Sequence, residues 1–135
     1  MALIDWKKDF SVQVDLFDKE HQNLIDIINN LHDGMKNGKS KEIMENIIND
    51  LIKYSKTHFS DEEKYMERYN YPGIEEQKKA HKIFIDKINQ INDDFKSGKI
   101  ALSMEIMQFL KEWWRNHIII IDKKYGDFFN EKGLK

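Results

Sequence analysis

Four stretches of this chain carry apolar residues at helical spacing, and short breaks rich in Gly, Ser and Pro separate them. The first runs from about Asp18 to Lys36, with Leu24, Ile25, Ile28 and Leu31 on one stripe. The second runs over about 41–68, with Ser40 as its expected N-cap and Met44, Ile47, Ile48, Leu51, Tyr54 and Tyr65 inward. The third runs from about Glu75 to Lys96, with Phe84, Ile85, Ile88, Ile91 and Phe95 inward. The fourth runs from about Leu102 to Lys124, with Ile106, Leu110, Trp113, Trp114 and Ile121 on one side. Asp15 or Asp18 is placed to cap the first helix, Gly34 and Gly38 to close it, and Asn70-Tyr71-Pro72-Gly73 and Ser97-Gly98 to break the next two. Residues 1–17 have no helical period and predict an irregular arm anchored by Trp6, Phe10 and Phe17, although Val12, Val14 and Leu16 alternate. The run Ile118–Ile121 is apolar all round and predicts a dry, buried segment; Met44, Met104 and Met107 are expected as core filler. Beyond the fourth helix, Phe128 and Phe129 stand in a polar tail.

Short connections force consecutive helices to be antiparallel. The prediction is an all-α, antiparallel up-down-up-down four-helix bundle behind an irregular N-terminal arm, with 1–135 as one domain. Polar residues interrupt the apolar stripes, and their depths coincide. His21 lies about one turn into the first helix. His58 and Glu62, four apart, lie near the end of the second; Gln77 and His81, four apart, open the third; His117 and Asp122 lie near the end of the fourth. In an antiparallel bundle those four positions share one end, so connectivity alone gathers them at one level of the core. Buried His, Glu and Asp are costly unless paired or coordinating. Four imidazoles and two carboxylates exceed what one tetrahedral zinc needs, and carboxylates can bridge two ions, so a dinuclear metal centre is the expectation. Ligand types alone leave zinc and manganese open beside iron.

His117 and Asp122 are an awkward pair. Five residues turn an ideal helix by about 500°, leaving them roughly 140° apart. Both reach one site only from an inner flank or through a π-type distortion. His32 follows His21 at nearly the same angle but about 16 Å further along the helix. It is expected to be structural or partly exposed.

Composition narrows the class further. With 22 basic and 24 acidic residues the formal charge is −2, so there is no basic excess to draw in nucleic acid or an anionic membrane. No apolar run approaches a membrane span, and there is no cysteine for thiolate sites or disulfides. The opening MALIDWKKDF lacks the apolar core of a signal peptide. A cytoplasmic location is the expectation.

The ordered set of motifs resembles the hemerythrins, specifically the single-domain bacteriohemerythrins; bundles of this topology include myohemerythrin. The likeness rests on the Trp6 arm, DKEH ending at His21, HFSDEE containing His58 and Glu62, YPGIEEQKKAH ending at His81, and WWRNHIIIID with His117 and Asp122. It implies a non-haem diiron centre, oxo- or hydroxo-bridged, that binds O2 reversibly. His21 and His58 match the ligands of one iron, His81 and His117 two of the three histidines on the other, and Glu62 and Asp122 the bridging carboxylates. It also implies an apolar O2 pocket lined by Trp114, Leu24, Ile25, Phe59 and Trp113 beside the two-histidine iron. The implied role is a carrier, store or sensor of O2, a monomer or weak homo-oligomer, rather than an enzyme.

Two residues depart from the family pattern. Gln77 stands where the third histidine of the second iron belongs, and three outcomes are open: ligation through its amide oxygen, a water in that position, or a weakly held second iron. Trp114 stands where a smaller apolar residue, often Leu, is usual. The rivals are a peroxidase- or oxidase-like enzyme using the additional open iron position, and a metal-free helical interaction module.

Overall fold

A computed structural model describes residues 3–38, 40–98 and 102–135, apart from the side chains at 40–42, 102 and 103. Its helices are α1 (Asp15–Lys36), α2 (Ser40–Arg68), α3 (Ile74–Lys96) and α4 (Leu102–Glu112). The chain then runs on through a π-helical stretch, Trp113–Asp122, into α5 (Lys123–Glu131). α1 packs on α2, α2 on α3, and α4 closes against all three, giving the antiparallel four-helix bundle. No described helix is long and apolar enough to cross a membrane. The expected cap at Ser40 falls on a side chain outside the described residues.

The core follows the stripes. Leu24, Ile28 and Leu31 of α1, Ile48 and Leu51 of α2, Phe84, Ile88 and Ile91 of α3, and Ile106 and Leu110 of α4 are fully buried. At about 1.5–3 kcal/mol for each such side chain removed from water, this cluster dominates the drive to fold. A second, smaller cluster joins Val12, Val14, Phe17, Met66, Tyr125 and Phe129. In it the arm and α5 pack on Phe17 of α1 and Met66 of α2, so arm and α5 together close the bundle at the level of the histidines.

That second cluster corrects several expectations. The fourth helix does not stop at Lys124: α5 continues to Glu131, because Tyr125 and Phe129 complete an apolar face that docks on Phe17. The arm contains a 3-10 turn, Lys8–Phe10, and α1 starts at Asp15. Neither Asp15 nor Asp18 caps α1; its N-cap position is Val14, with no side-chain hydrogen bond. Asp18 instead accepts from Ser11 Oγ (2.6 Å) and the Val12 backbone N–H (2.8 Å), folding the arm back. Val12 and Val14 are buried, whereas Leu16 lies on α1 and is 39% exposed. Met104 is no core filler, being 64% exposed, and Ile85 points largely outward. The isoleucine run is not dry all round: Ile118 is buried, Ile119 and Ile121 are half-buried, and Ile120 is 55% exposed. A helix this close to the bundle edge keeps one side in water whatever its sequence. His32 is half-buried, as expected.

The α2–α3 break is built by Asn70, which takes a left-handed φ of 57° that a short amide side chain tolerates. Tyr71 N–H then reaches Met66 O (2.8 Å) and Asn70 N–H reaches Glu67 O (3.3 Å), satisfying the last carbonyls of α2. Gly126 has a different reason. A Cβ there would stand 2.3 Å from Val12 O, so the arm backbone rests directly on α5. Gly126→Ala is expected to destabilise by about 1–3 kcal/mol through overpacking. A thermal melt should show Tm lower by roughly 5–10 °C; an unchanged Tm would mean that the arm does not seat on α5.

Candidate metal centre

Four elements converge on one buried layer. α1 contributes His21, α2 His58 and Glu62, α3 Gln77 and His81, and the π-helical stretch His117 and Asp122. None of the seven is more than 4% exposed. His21 Nε2 lies 3.1 Å from His58 Nε2 and 3.3 Å from Asp122 Oδ2. His58 Nε2 lies 3.2 Å and His81 Nε2 3.1 Å from the same atom, Glu62 Oε1. His117 Nε2 lies 3.1 Å from Asp122 Oδ1. All six expected donors are therefore gathered, and Gln77 joins them, its Nε2 donating to Asp122 Oδ1 at 3.0 Å.

The π-helical stretch resolves the His117–Asp122 problem. Hydrogen bonds there run from residue i to i+5, so residues five apart stack on one face. The distortion expected from the spacing is present, spread over ten residues, Trp113–Asp122.

The arrangement divides into two halves. Asp122 turns Oδ2 to His21 and Oδ1 to His117 and Gln77, and Glu62 Oε1 stands between His58 and His81. In the first half, donor atoms of His21, His58, Glu62 and Asp122 all lie within 4.8 Å of one another.

A metal fits what these residues leave undone. Glu62 Oε1, His81 Nε2, His117 Nε2 and Asp122 Oδ2 are buried without a hydrogen bond of acceptable geometry, though each has a neighbour at 3.1–3.3 Å. Gln77 Oε1 is orphaned as well. Donors facing one another without sharing protons are costly in a dry core. Their spacing is what adjacent ligands show when each stands about 2.1 Å from one ion, roughly 3.0–3.4 Å.

Two histidines are oriented from behind. His58 Nδ1 meets Glu20 Oε1 at 2.8 Å and His81 Nδ1 meets Glu63 Oε2 at 2.7 Å, which fixes each ring with Nε2 inward. Each carboxylate comes from the preceding helix. Glu20 and Glu63 adjoin His21 and Glu62 in sequence, and the need of a buried ligand histidine for an Nδ1 acceptor is the signal that would have found them. Tyr125 is a third supporting residue without a signal in the helical spacing; its hydroxyl donates to Glu62 Oε2.

The electrostatics follow from this packing. Burial pushes the His58 imidazolium down, but the Glu62 carboxylate and the hydrogen bonds to Glu20 and Glu62 outweigh it and lift its pKa to about 10. Burial opposes charge on Glu62 too, yet His58 and His81 hold it well below the usual carboxylate range. Half-buried Glu20 is pushed up to about 7, chiefly by burial. Without an ion, the Glu62 carboxylate favours the protonated forms of His58 and His81, and a metal must displace those protons.

Aromatic rings wall the layer. Phe59 stacks on His81 at 4.0 Å, Trp113 on His117 at 4.0 Å and Tyr54 on His58 at 5.1 Å. Trp114 meets His21 edge-on at 6.4 Å. Of the residues expected to line an O2 pocket, Leu24, Ile25, Phe59, Trp113 and Trp114 are all buried in the main core cluster.

With this geometry in place, comparison with known proteins is informative. The family model described as Hemerythrin HHE cation binding domain matches residues 12–128. A bacteriohemerythrin of Stenotrophomonas maltophilia (strain R551-3) is 31% identical over 127 residues, covering 94% of this chain and 82% of that one. A bacteriohemerythrin of Clostridium acetobutylicum is 33% identical over 129 residues, covering 90% and 98%. The myohemerythrin of Riftia pachyptila is 32% identical over 120 residues, covering 89% and 88%. A crystal structure of wild-type hemerythrin superposes with a TM-score of 0.84 at 28% identity, covering 93% of this chain and 97% of that one. A family model matched across most of the chain, and a bundle that superposes on a hemerythrin, make this chain a member of the hemerythrin family.

Proposed function

We propose that this protein binds O2 at a pair of iron ions, as a carrier, store or sensor. His21 and His58 hold one ion, His81 and His117 the other, and Glu62 and Asp122 bridge them. The observation that carries this reading is the buried convergence of these donors, with Asp122 divided between the two halves and four donor atoms lacking hydrogen bonds. Membership of the hemerythrin family supports it independently. Two ferrous ions would supply the electrons and the open coordination position that O2 binding needs. The protein's part is to orient the ligands through Glu20 and Glu63, to hold Glu62 through the Tyr125 hydroxyl, and to keep water away with the ring wall.

Gln77 gives this centre its own character. Its amide NH2 steadies Asp122, while Oε1 is buried and unpartnered. Of the three outcomes, ligation by Oε1 uses both ends of the amide and satisfies the orphan oxygen. An amide oxygen is a weaker donor to iron than imidazole, so the His81–His117 half would hold its ion less tightly than it would with histidine at position 77.

Three outcomes test the reading. Anaerobic loading with ferrous iron should give about two irons per chain and a visible band that comes and goes with O2, and Glu62→Ala should lower the stoichiometry. Zinc or manganese retained in place of iron, or no metal at all, would sink it. Resistance of the second iron to a chelator should fall in the order Gln77→His, wild type, Gln77→Leu, by about tenfold at the first step, the factor that roughly 1.4 kcal/mol of ligand strength represents. If the Leu variant matches wild type, Gln77 is no ligand. Trp114→Leu should speed the rise of the O2-dependent band and its decay in air, and identical rates in both proteins would exclude Trp114 as a barrier to O2.

A further inference from the structure

The arm does more than close the bundle. Between it and the fourth helical segment lies an outer cavity of about 420 Å3, on the solvent side of Trp114. That volume falls within the range of roughly 300–1,000 Å3 typical of small-molecule sites. We propose that this cavity binds an amphipathic organic anion, a carboxylate carried on an aliphatic or aromatic body. The site is independent of whatever ion the histidine layer holds.

The floor is apolar. Ile4, Phe10, Trp114 and Ile119 line it, and Phe10 meets the Trp114 ring edge-on at 5.2 Å, so the floor is rigid and aromatic. The rim is cationic. Lys7 comes from the arm, and Lys111 and Arg115 come from one side of the helical segment opposite. Asp5 is the single carboxylate on the rim, which leaves a net charge of +2. Among the described residues, Lys7, Lys111 and Arg115 have no ion-pair partner. Like charges four apart on a helix repel. Here a third cation is added from the arm, an arrangement that an anionic head group would relieve. Arg offers a planar fork suited to a carboxylate, and the lysine stems cover apolar surface while their ammonium groups stay wet.

The cavity is held open rather than induced. Asn29 of α1 clips the arm by both polar groups of one residue: Ile4 N–H donates to Asn29 Oδ1 at 2.9 Å, and Asn29 Nδ2 donates to Ile4 O at 2.8 Å. A pre-formed wall lowers the ordering cost of binding. The charge is what selects the ligand class: an apolar floor alone would accept any hydrophobic body, whereas the rim of three cations favours one that ends in a negative group. An occupant would rest on Trp114, whose ring centroid lies 6.4 Å from that of His21, so it would lie one side chain from the histidine layer.

The test is isothermal titration of the full-length, iron-loaded protein with octanoate, octanol and octyltrimethylammonium. Octanoate should bind one to one, at least about tenfold tighter than either of the others. Arg115→Glu and Lys111→Glu should each weaken octanoate about tenfold or more, since each replaces attraction by repulsion, while Arg115→Lys keeps most of the affinity. Arg115 is exposed and Lys111 half-buried, and neither belongs to the core, so melting curves of the variants should match wild type, and those curves separate a lost site from a lost fold. Affinity that ignores the sign of the head group, that survives both Glu substitutions, or that is absent for octanoate altogether would overturn the proposal.

Discussion

Placing two carboxylates and four imidazoles in the middle of an apolar bundle is the constraint on which the rest of this structure depends. Charged groups in a dry core are tolerated only when they neutralise one another or ligate an ion. Glu62 and Asp122 do this by standing between histidines from different helices, so each carboxylate ties at least two elements together. Losing one would leave several buried partners uncompensated, and the layer behaves as a unit rather than as separate pairs. The α2–α3 turn follows from the same need. It must end α2 soon after Glu62 and start α3 soon before Gln77, and the left-handed Asn70 does so within a few residues.

The apolar residues are arranged to serve that layer. The large cluster below supplies Tyr54, Phe59 and Trp113, whose rings lie flat on three of the four histidines. The small cluster above supplies Phe17 and Tyr125, one packed edge-on to His58 and the other bonded to Glu62. A flat ring leaves a histidine few rotamers, and a carboxylate behind Nδ1 fixes which nitrogen faces inward. Rigidity of the ligands thus comes from hydrophobic packing and hydrogen bonding together. The arm and α5 complete this enclosure from opposite ends of the sequence, meeting where Gly126 lets the Val12 carbonyl approach. The same arm, clipped by Asn29, forms the wall of the cationic outer cavity. One segment therefore shapes both the dry interior and its charged approach.

Much of the site was legible because its logic is periodic and topological. His58 with Glu62, and Gln77 with His81, are spaced for one helical face, and antiparallel connectivity sets their depth alongside His21 and His117. Even the π-helical stretch could be anticipated, since a five-residue interval is incompatible with one face of an α-helix. Glu20, Glu63 and Tyr125 were not legible in the same way. Each acts across helices, and its role depends on which neighbour its side chain meets, which a one-dimensional period does not encode. Met104 and Ile120 were misread for the opposite reason. Their apolar character fits a stripe, but exposure is set by how far the helix sits from its neighbours.

By itself, the sequence determined the helices, their antiparallel order, the level at which the ligand-type residues meet, and the resemblance to hemerythrins. These are properties of spacing and chain connectivity, which local geometry converts directly into structure. Tertiary structure alone decided how the Asp122 oxygens divide between the two halves, which acids orient which histidines, and that Gln77 turns its amide nitrogen to Asp122 and leaves its oxygen free. It also decided that the arm and α5 fold over the histidine level and that Lys7, Lys111 and Arg115 share one cavity. Those are contacts between residues distant in sequence, and their geometry is fixed only when the helices pack, because side-chain rotamers and interhelical distances are set by the whole core at once.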